Sequence, residues 1–147
     1  MRSLTTVRIY YEDTDAAGIV YYANYLRFLE RARTEFLRTL GHSQQELMQE
    51  GVAFAVRSVS AEYLKPARLD DQLTVETTIG SLGRAQVNFV QRIRRGEDIL
   101  LDAKIRVACI DPASGKPRAM PRVIYDQFKP LCSPPSENPS LPQEANP

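Results

Sequence analysis

Between Tyr25 and Leu40 the apolar residues Tyr25, Phe28, Leu29, Ala32, Phe36, Leu37 and Leu40 recur at spacings of three and four. Arg27, Glu30, Arg31, Arg33 and Arg38 occupy the opposite side, so the stretch reads as an amphipathic helix with one face to bury. Gly41 stops it as the residue after the helix end, and Asn24 is a plausible N-cap at its start. Nothing else in the chain has a helical pattern of that length. Beyond Gly51 the pattern turns strand-like, with four stretches rich in Val, Ile, Phe, Tyr and Thr at about 53–63, 72–80, 86–95 and 99–110. One long helix beside a run of strands implies an α+β architecture, with the helix packed on an antiparallel sheet.

The connections support antiparallel pairing. Arg95-Gly96-Glu97-Asp98 has the composition of a hairpin loop, and Gly80-Ser81-Leu82-Gly83 suits the same use. Leu4 to Tyr11 adds a strand ahead of the helix. Ser43 with Glu46 makes a capping box for a short second helix, Gln44 to Glu50, and Val123 to Phe128 is a short element docking on the sheet. Because stretches such as Ala85–Gln91 carry apolar residues not obviously confined to one face, the other face and the edges of the sheet are expected to be covered by a second subunit.

At 147 residues the chain is one domain's worth. That domain is expected over 1–129. From Pro130 onward six of eighteen residues are proline, interleaved with Ser, Glu and Asn, so 130–147 reads as a disordered tail dispensable for function. A net charge of +1 provides no global field toward nucleic acid or an anionic membrane. No signal-peptide h-region and no membrane-length apolar run is present, which leads to a cytoplasmic expectation without membrane insertion. Cys109 and Cys132 stand apart without histidine companions, so they read as free thiols and support neither a metal nor a redox motif.

The chemistry-bearing stretch lies between the first strand and the helix: Tyr11-Glu12-Asp13-Thr14-Asp15-Ala16-Ala17-Gly18-Ile19-Val20-Tyr21-Tyr22-Ala23-Asn24-Tyr25. It echoes a calcium loop but fails as one, since the fifth loop position is Ala17 and the twelfth is Asn24. His42 is the whole imidazole inventory and sits past a helix end, where a triad role is disfavoured. In extended backbone Asp13 and Asp15 would share a face, and like charges that close tend to separate their proton affinities unless one is tied up by hydrogen bonds. Two readings of the pair remain: aspartates that cap and turn the loop, or one structural carboxylate beside one that faces substrate. A carboxylate next to a helix N-terminus can serve as nucleophile or general base toward an acyl carbon, while N–H groups of the first turn stabilise the oxyanion.

This stretch closely resembles the signature of the 4-hydroxybenzoyl-CoA thioesterase family, in particular its YbgC-type branch of acyl-CoA thioesterases associated with the Tol–Pal envelope system. The similarity continues through Glu30–Glu35, Val52–Arg57, Pro66–Asp71, Val90–Ile93 and Lys116–Pro121, and covers roughly Val7 to Phe128. The resemblance implies a hotdog fold, subunits joined edge to edge with active sites at the dimer interface, dimers that often pair into tetramers, and hydrolysis of acyl-CoA without metal or bound cofactor. It places the catalytic aspartate at Asp15, as nucleophile or base, and the polarising backbone N–H at Tyr22. It places coenzyme A phosphates near Lys116 and Arg118, with Arg84 a weaker candidate. Asp13 then fixes the loop and Gly18 lets it bend. Many YbgC-type members carry histidine where this chain has Tyr22; the backbone role is independent of that side chain, and the phenol either bonds substrate or covers the acyl pocket. A hotdog protein that binds acyl-CoA or acyl carrier protein without turnover is the alternative. A dehydratase or hydratase is disfavoured, because that chemistry commonly uses an Asp–His pair.

Overall fold

The computed structural model describes residues 2–132; the Pro-rich segment from 133 onward lies outside them. Strand β1 (Ser3–Arg8) leads through a 3-10 turn at Tyr11–Asp13 to helix α1 (Asn24–Thr39) and the short α2 (Gln44–Gln49). Strands β2 (Ala53–Tyr63), β3 (Gln72–Leu82), β4 (Gln86–Arg95) and β5 (Asp98–Ile110) come next, then α3 (Arg122–Phe128) and a 3-10 turn at Lys129–Leu131. The strands form one antiparallel sheet in the order β1-β3-β4-β5-β2. It is the expected α+β hotdog arrangement. No helix among the described residues is long and apolar enough to cross a membrane.

The periodicity of α1 does what its spacing dictates. Tyr25, Phe28, Leu29, Ala32, Phe36 and Leu37 are buried against alternate residues of the sheet such as Val75, Ile79, Phe89, Ile93 and Ile105. Phe36, Phe89 and Phe128 join edge to face or tilted, with ring centroids 5.9–6.4 Å apart, so α3 seals the end of the core beyond the helix. α1 lies over β1 and β3. The β2 side of the sheet's inner face is less covered, and there a cavity of about 350 Å³ opens between α1 and residues of β2, β4 and β5.

Several local expectations are corrected. β1 ends at Arg8 rather than Tyr11, because Asp13 Oδ2 accepts the Tyr10 N–H at 2.9 Å and draws the chain into the 3-10 turn. The helix N-cap is Ala23, and the Asn24 side chain instead donates to the carbonyl of Asp13 at 2.9 Å. The Ser43 hydroxyl does accept from the N–H of Glu46, at 3.1 Å. β3 runs on to Leu82 through the expected Gly80–Gly83 turn, with a register shift between Ile79 and Ser81. A Cβ on Gly80 would stand 3.1 Å from Val90 Cγ2, which is why glycine suits this bulge. The β3–β4 turn therefore falls at 83–85, whereas β4 and β5 close with Arg95 opposite Asp98 across Gly96 and Glu97. Along β4 burial alternates cleanly and the outward residues include Asn88, Arg92 and Arg94, so that sheet face is polar rather than apolar. Cys132 is not free tail; it bridges to Ile79, and Leu131 and Cys132 pack on the core.

Candidate active site

The Asp13–Val20 segment forms a small hairpin. Thr14 pairs with Val20, the Asp15 N–H donates to Ile19 O at 2.9 Å, and the Tyr21 N–H donates to Asp13 O at 3.1 Å. The turn at its tip closes with the Gly18 N–H on Asp15 O at 3.0 Å, and Gly18 adopts φ +80°, in the left-handed region where a side chain is strained. Asp15 Oδ1 accepts the Ala17 N–H at 2.8 Å, an Asx turn that orients the carboxylate.

The two aspartates therefore do not share one environment. Asp13 is buried with its carboxylate engaged by Tyr10, while Asp15 is exposed. The hairpin leads directly into the helix. Asn24 N–H reaches Tyr21 O and Tyr25 N–H reaches Tyr22 O, but among the described residues no acceptor meets the N–H of Tyr22. Tyr22 directly precedes the N-cap Ala23, so its N–H lies just ahead of the helix, off its positive dipole end. The phenol of Tyr22 is exposed and tilts against Tyr21 and edge-on to Tyr63, whose hydroxyl lies 3.4 Å from Tyr22 O. Burial of the Tyr25 phenol pushes its pKa up, keeping it neutral.

The loop at 64–71 clamps this hairpin from behind. Val20 N–H donates to Ala67 O at 2.9 Å, Ile19 pairs with Arg68, and Ala67 N–H donates to Tyr25 Oη at 3.0 Å. Asp71 anchors the loop by accepting from Arg68 N–H at 2.8 Å and Arg95 Nη1 at 2.9 Å. Burial alone would raise the Asp71 carboxyl, but these two donors outweigh it and hold it below the usual carboxylate range.

The basic candidates gather elsewhere. The Arg118 N–H donates to Cys109 O, the Met120 N–H to Arg84 O and the Cys109 N–H to Ala85 O, all at 2.8–3.0 Å, which brings Arg84 and the 116–120 segment side by side. Lys116 and Arg84 are exposed, whereas Arg118 is half-buried with Nη1 on Gly51 O at 2.8 Å. This cluster stands at the Ala53–Ile110 end of the sheet; Tyr22 and Tyr63 stand at the other. Ten residues of strand separate them, roughly 33 Å at the usual rise. One protomer does not bring them together. His42 is equally remote, at the C-terminal end of α1 with Nε2 paired to Gln127 Oε1 at 2.7 Å.

A residue assigned by periodicity to the solvent face also belongs here. Arg33 lines the cavity beside α1, together with Phe54, Val56, Val59, Ile105 and Phe128. Its Nη1 donates to Gln91 Oε1 at 2.9 Å, and Gln91, fully buried, donates in turn to Leu29 O and Thr77 Oγ1, both at 3.0 Å. The signal in the sequence was Gln91 itself, an amide on the apolar phase of β4.

The Thioesterase superfamily model matches residues 17–101, from the hairpin into β5. The acyl-CoA thioester hydrolase YbgC of Escherichia coli O6:H1 is 53% identical over 124 residues, 84% of this chain and 92% of that protein. The acyl-CoA thioesterase YbgC of Haemophilus influenzae is 47% identical over 123 residues, 83% of this chain and 90% of that protein. Among solved structures, a probable thioesterase from Bartonella henselae superposes with a TM-score of 0.79 at 39% identity, covering 82% of this chain and 100% of its own. With this identity sustained through hairpin, helix and sheet, the chain belongs to the thioesterase superfamily, in its YbgC-type branch.

Proposed function

We propose that this chain is an acyl-CoA thioester hydrolase in which Asp15 acts as nucleophile or as general base for water. The observation that carries the reading is the junction of hairpin and helix: an exposed carboxylate held by an Asx turn, then a Tyr22 N–H without an acceptor among the described residues. A thioester carbonyl oxygen accepting that N–H becomes more electrophilic at carbon, and the tetrahedral oxyanion is met by the helix's positive end. Attack forms the C–O bond and the oxyanion, and collapse of the oxyanion breaks the C–S bond; on the base route the proton taken from water ends on the departing thiolate, and on the nucleophile route water then hydrolyses the acyl-aspartyl anhydride. Free acid and coenzyme A are the products. The same substrates bound without turnover, or an acyl carrier protein in place of coenzyme A, are the alternatives. A dehydratase is disfavoured by the distance of His42.

The separation of the two polar clusters makes the second subunit part of the proposal. β2 pairs only with β5 among the described residues, so its outer edge of eleven residues is open, with Val56, Val59 and Tyr63 exposed. Two copies joined antiparallel along β2 set the Tyr63 end of one beside the Ala53 end of the other. The partner's Lys116 and the partner's Arg84 then approach the Asp15 end and grip the nucleotide phosphates. Arg118, already committed to Gly51, contributes shape as well as charge. Pairing of such dimers into tetramers, and a cytoplasmic location where coenzyme A thioesters are made, complete the reading.

Purified protein mixed with a thiol reagent and a panel of acyl-CoAs tests it. Thiol release that Asp15→Asn abolishes is expected. Release that survives Asp15→Asn refutes the site; no release from any acyl-CoA favours the binding role.

A further inference from the structure

Arg33 is a cation placed where the acyl cavity needs none. Its charge is half-buried on α1, burial lowers its pKa against the opposing attraction of Glu30, and among the described residues it makes no ion pair within 4.0 Å of a carboxylate oxygen. Holding a guanidinium in such surroundings is costly unless an anion or several acceptors meet it. The protein nevertheless devotes two fully buried polar residues to positioning it. Thr77 and the carbonyl of Leu29 accept both N–H groups of the Gln91 amide, which fixes its flip and aims Oε1 at Arg33. One of the five guanidinium N–H donors is thereby used, and the planar fork remains for a bidentate acceptor.

Much of the cavity around it is apolar: Phe54, Val56, Val59, Ile105 and Phe128 contribute no acceptor side chain, and the Gln44 amide that also lines it donates to Thr34 Oγ1 at 3.2 Å. Its charged lining is Arg27, Glu30 and Arg33, two cations against one anion. Leu26 of the same lining lies one turn beyond Tyr22, so the near end of the cavity is about one helical turn from the proposed oxyanion donor. From there Arg33 is seven residues further along α1, roughly 10 Å by helical rise, and its side chain leans back toward the helix start. An acyl chain running from the thioester along the helix meets the guanidinium before the cavity ends.

We propose that Arg33, positioned by Gln91, is a specificity-determining residue that selects acyl groups ending in a carboxylate. The inference rests on the hydrolase reading above for the direction in which the acyl chain lies. Glu30 opposes such a substrate from the cavity rim, but it is exposed and screened, whereas the Arg33 fork is half-buried and tethered.

Matched pairs of substrates test it: adipyl-CoA against hexanoyl-CoA, and suberyl-CoA against octanoyl-CoA, each differing only in the terminal carboxylate. The ratio of diacid to monoacid is read in kcat/KM and, separately, in dissociation constants. For the unmodified chain at least one pair should favour the diacid by about tenfold or more, the range of a charged hydrogen bond. Arg33→Gln should collapse the ratio to near one or below, and Arg33→Lys should recover it partly, since a point charge lacks the fork. Gln91→Leu should lower the ratio without touching substrate, a change that a purely packing role would not produce. Equal use of both members of each pair by the unmodified chain overturns the proposal. So does a dimer that falls apart in Arg33→Gln with the ratio unmoved, which would make Arg33 an inter-subunit ion-pair partner. If the chain binds these thioesters but never turns them over, the hydrolase reading fails while the ratio of dissociation constants still decides the role of Arg33.

Discussion

The phenol oxygen of Tyr25, in the first turn of α1, accepts the N–H of Ala67, forty-two residues away, at 3.0 Å. Ala67 in turn accepts the N–H of Val20 at 2.9 Å. The helix, the 64–71 loop and the Asp15 hairpin are thus joined through one buried residue, so the position of Asp15 relative to the helix start depends on a bond remote from both.

Tyr25→Phe leaves the Ala67 N–H unpaired in a buried place. The expected loss is about 1–3 kcal/mol of unfolding free energy, the cost of an orphaned donor, measured by urea denaturation. A fall in kcat larger than any change in KM should accompany it, because the hairpin loosens while the basic cluster stays intact.

Asp15→Asn and Asp15→Ala should separate chemistry from turn formation. Both abolish thiol release, by about a hundredfold or more. Only the alanine variant loses the acceptor for the Ala17 N–H at 2.8 Å, so only it should show a lower melting temperature. Circular dichroism melting curves alongside the assay distinguish the two effects.

Asp71 carries a pH dependence. Its carboxyl lies below the usual range in the folded chain because, against the upward push of burial, Arg68 N–H and Arg95 donate to it. A depressed folded value means stabilisation that is present above the unfolded value of about 3.9 and lost as pH falls through the folded value. Acid unfolding followed by tyrosine fluorescence should therefore show a shallower decline below that pH for Asp71→Asn, from a lower plateau at neutral pH.

The proposed sharing of sites between subunits predicts complementation. Lys116→Ala should raise KM for acyl-CoA while leaving the hydrolysis of short pantetheine thioesters less affected. After mixing and subunit exchange with Asp15→Asn, hybrid dimers contain one site with both residues intact, and wild-type KM should return to part of the population. Failure of any mixture to recover it would refute a site shared between subunits.

The open edge of β2 gives the last prediction. Val59 is 42% exposed on that strand, and Val59→Lys puts a charge into the proposed seam. Sedimentation velocity should show monomers at concentrations where the unmodified chain sediments as the proposed dimer.

Much of the fold was legible in the sequence because it is written locally. The three-and-four spacing of α1 has only one way to bury Phe28, Leu29 and Phe36. The Gly96 hairpin and the Ser43 cap are likewise short-range and were readable. The alternation of β4 was not legible in the same way, because Gln91 sits on its buried phase and Val90 on its outward one. The boundaries that failed have particular causes: at β1 the Asp13 carboxylate captured the Tyr10 N–H three residues back, at Asn24 the side chain turned to the Asp13 carbonyl eleven residues away, and at Gly80 the Val90 side chain of the neighbouring strand left room only for glycine.

The candidate site divides in the same way. Sequence by itself determined that Asp15, Gly18 and Tyr22 form one unit, since they lie within eight positions of each other and their hairpin is closed by neighbours. Only the tertiary structure decided that Asp13 and Asp15 part into buried and exposed carboxylates, and that Lys116, Arg118 and Arg84 stand at the far end of the sheet. It alone turned Arg33 from a solvent-side arginine into a tethered cation on an apolar cavity. The physical reason is range: backbone turns are set by adjacent residues, whereas the environment of a charge is set by whichever strand the fold lays beside it.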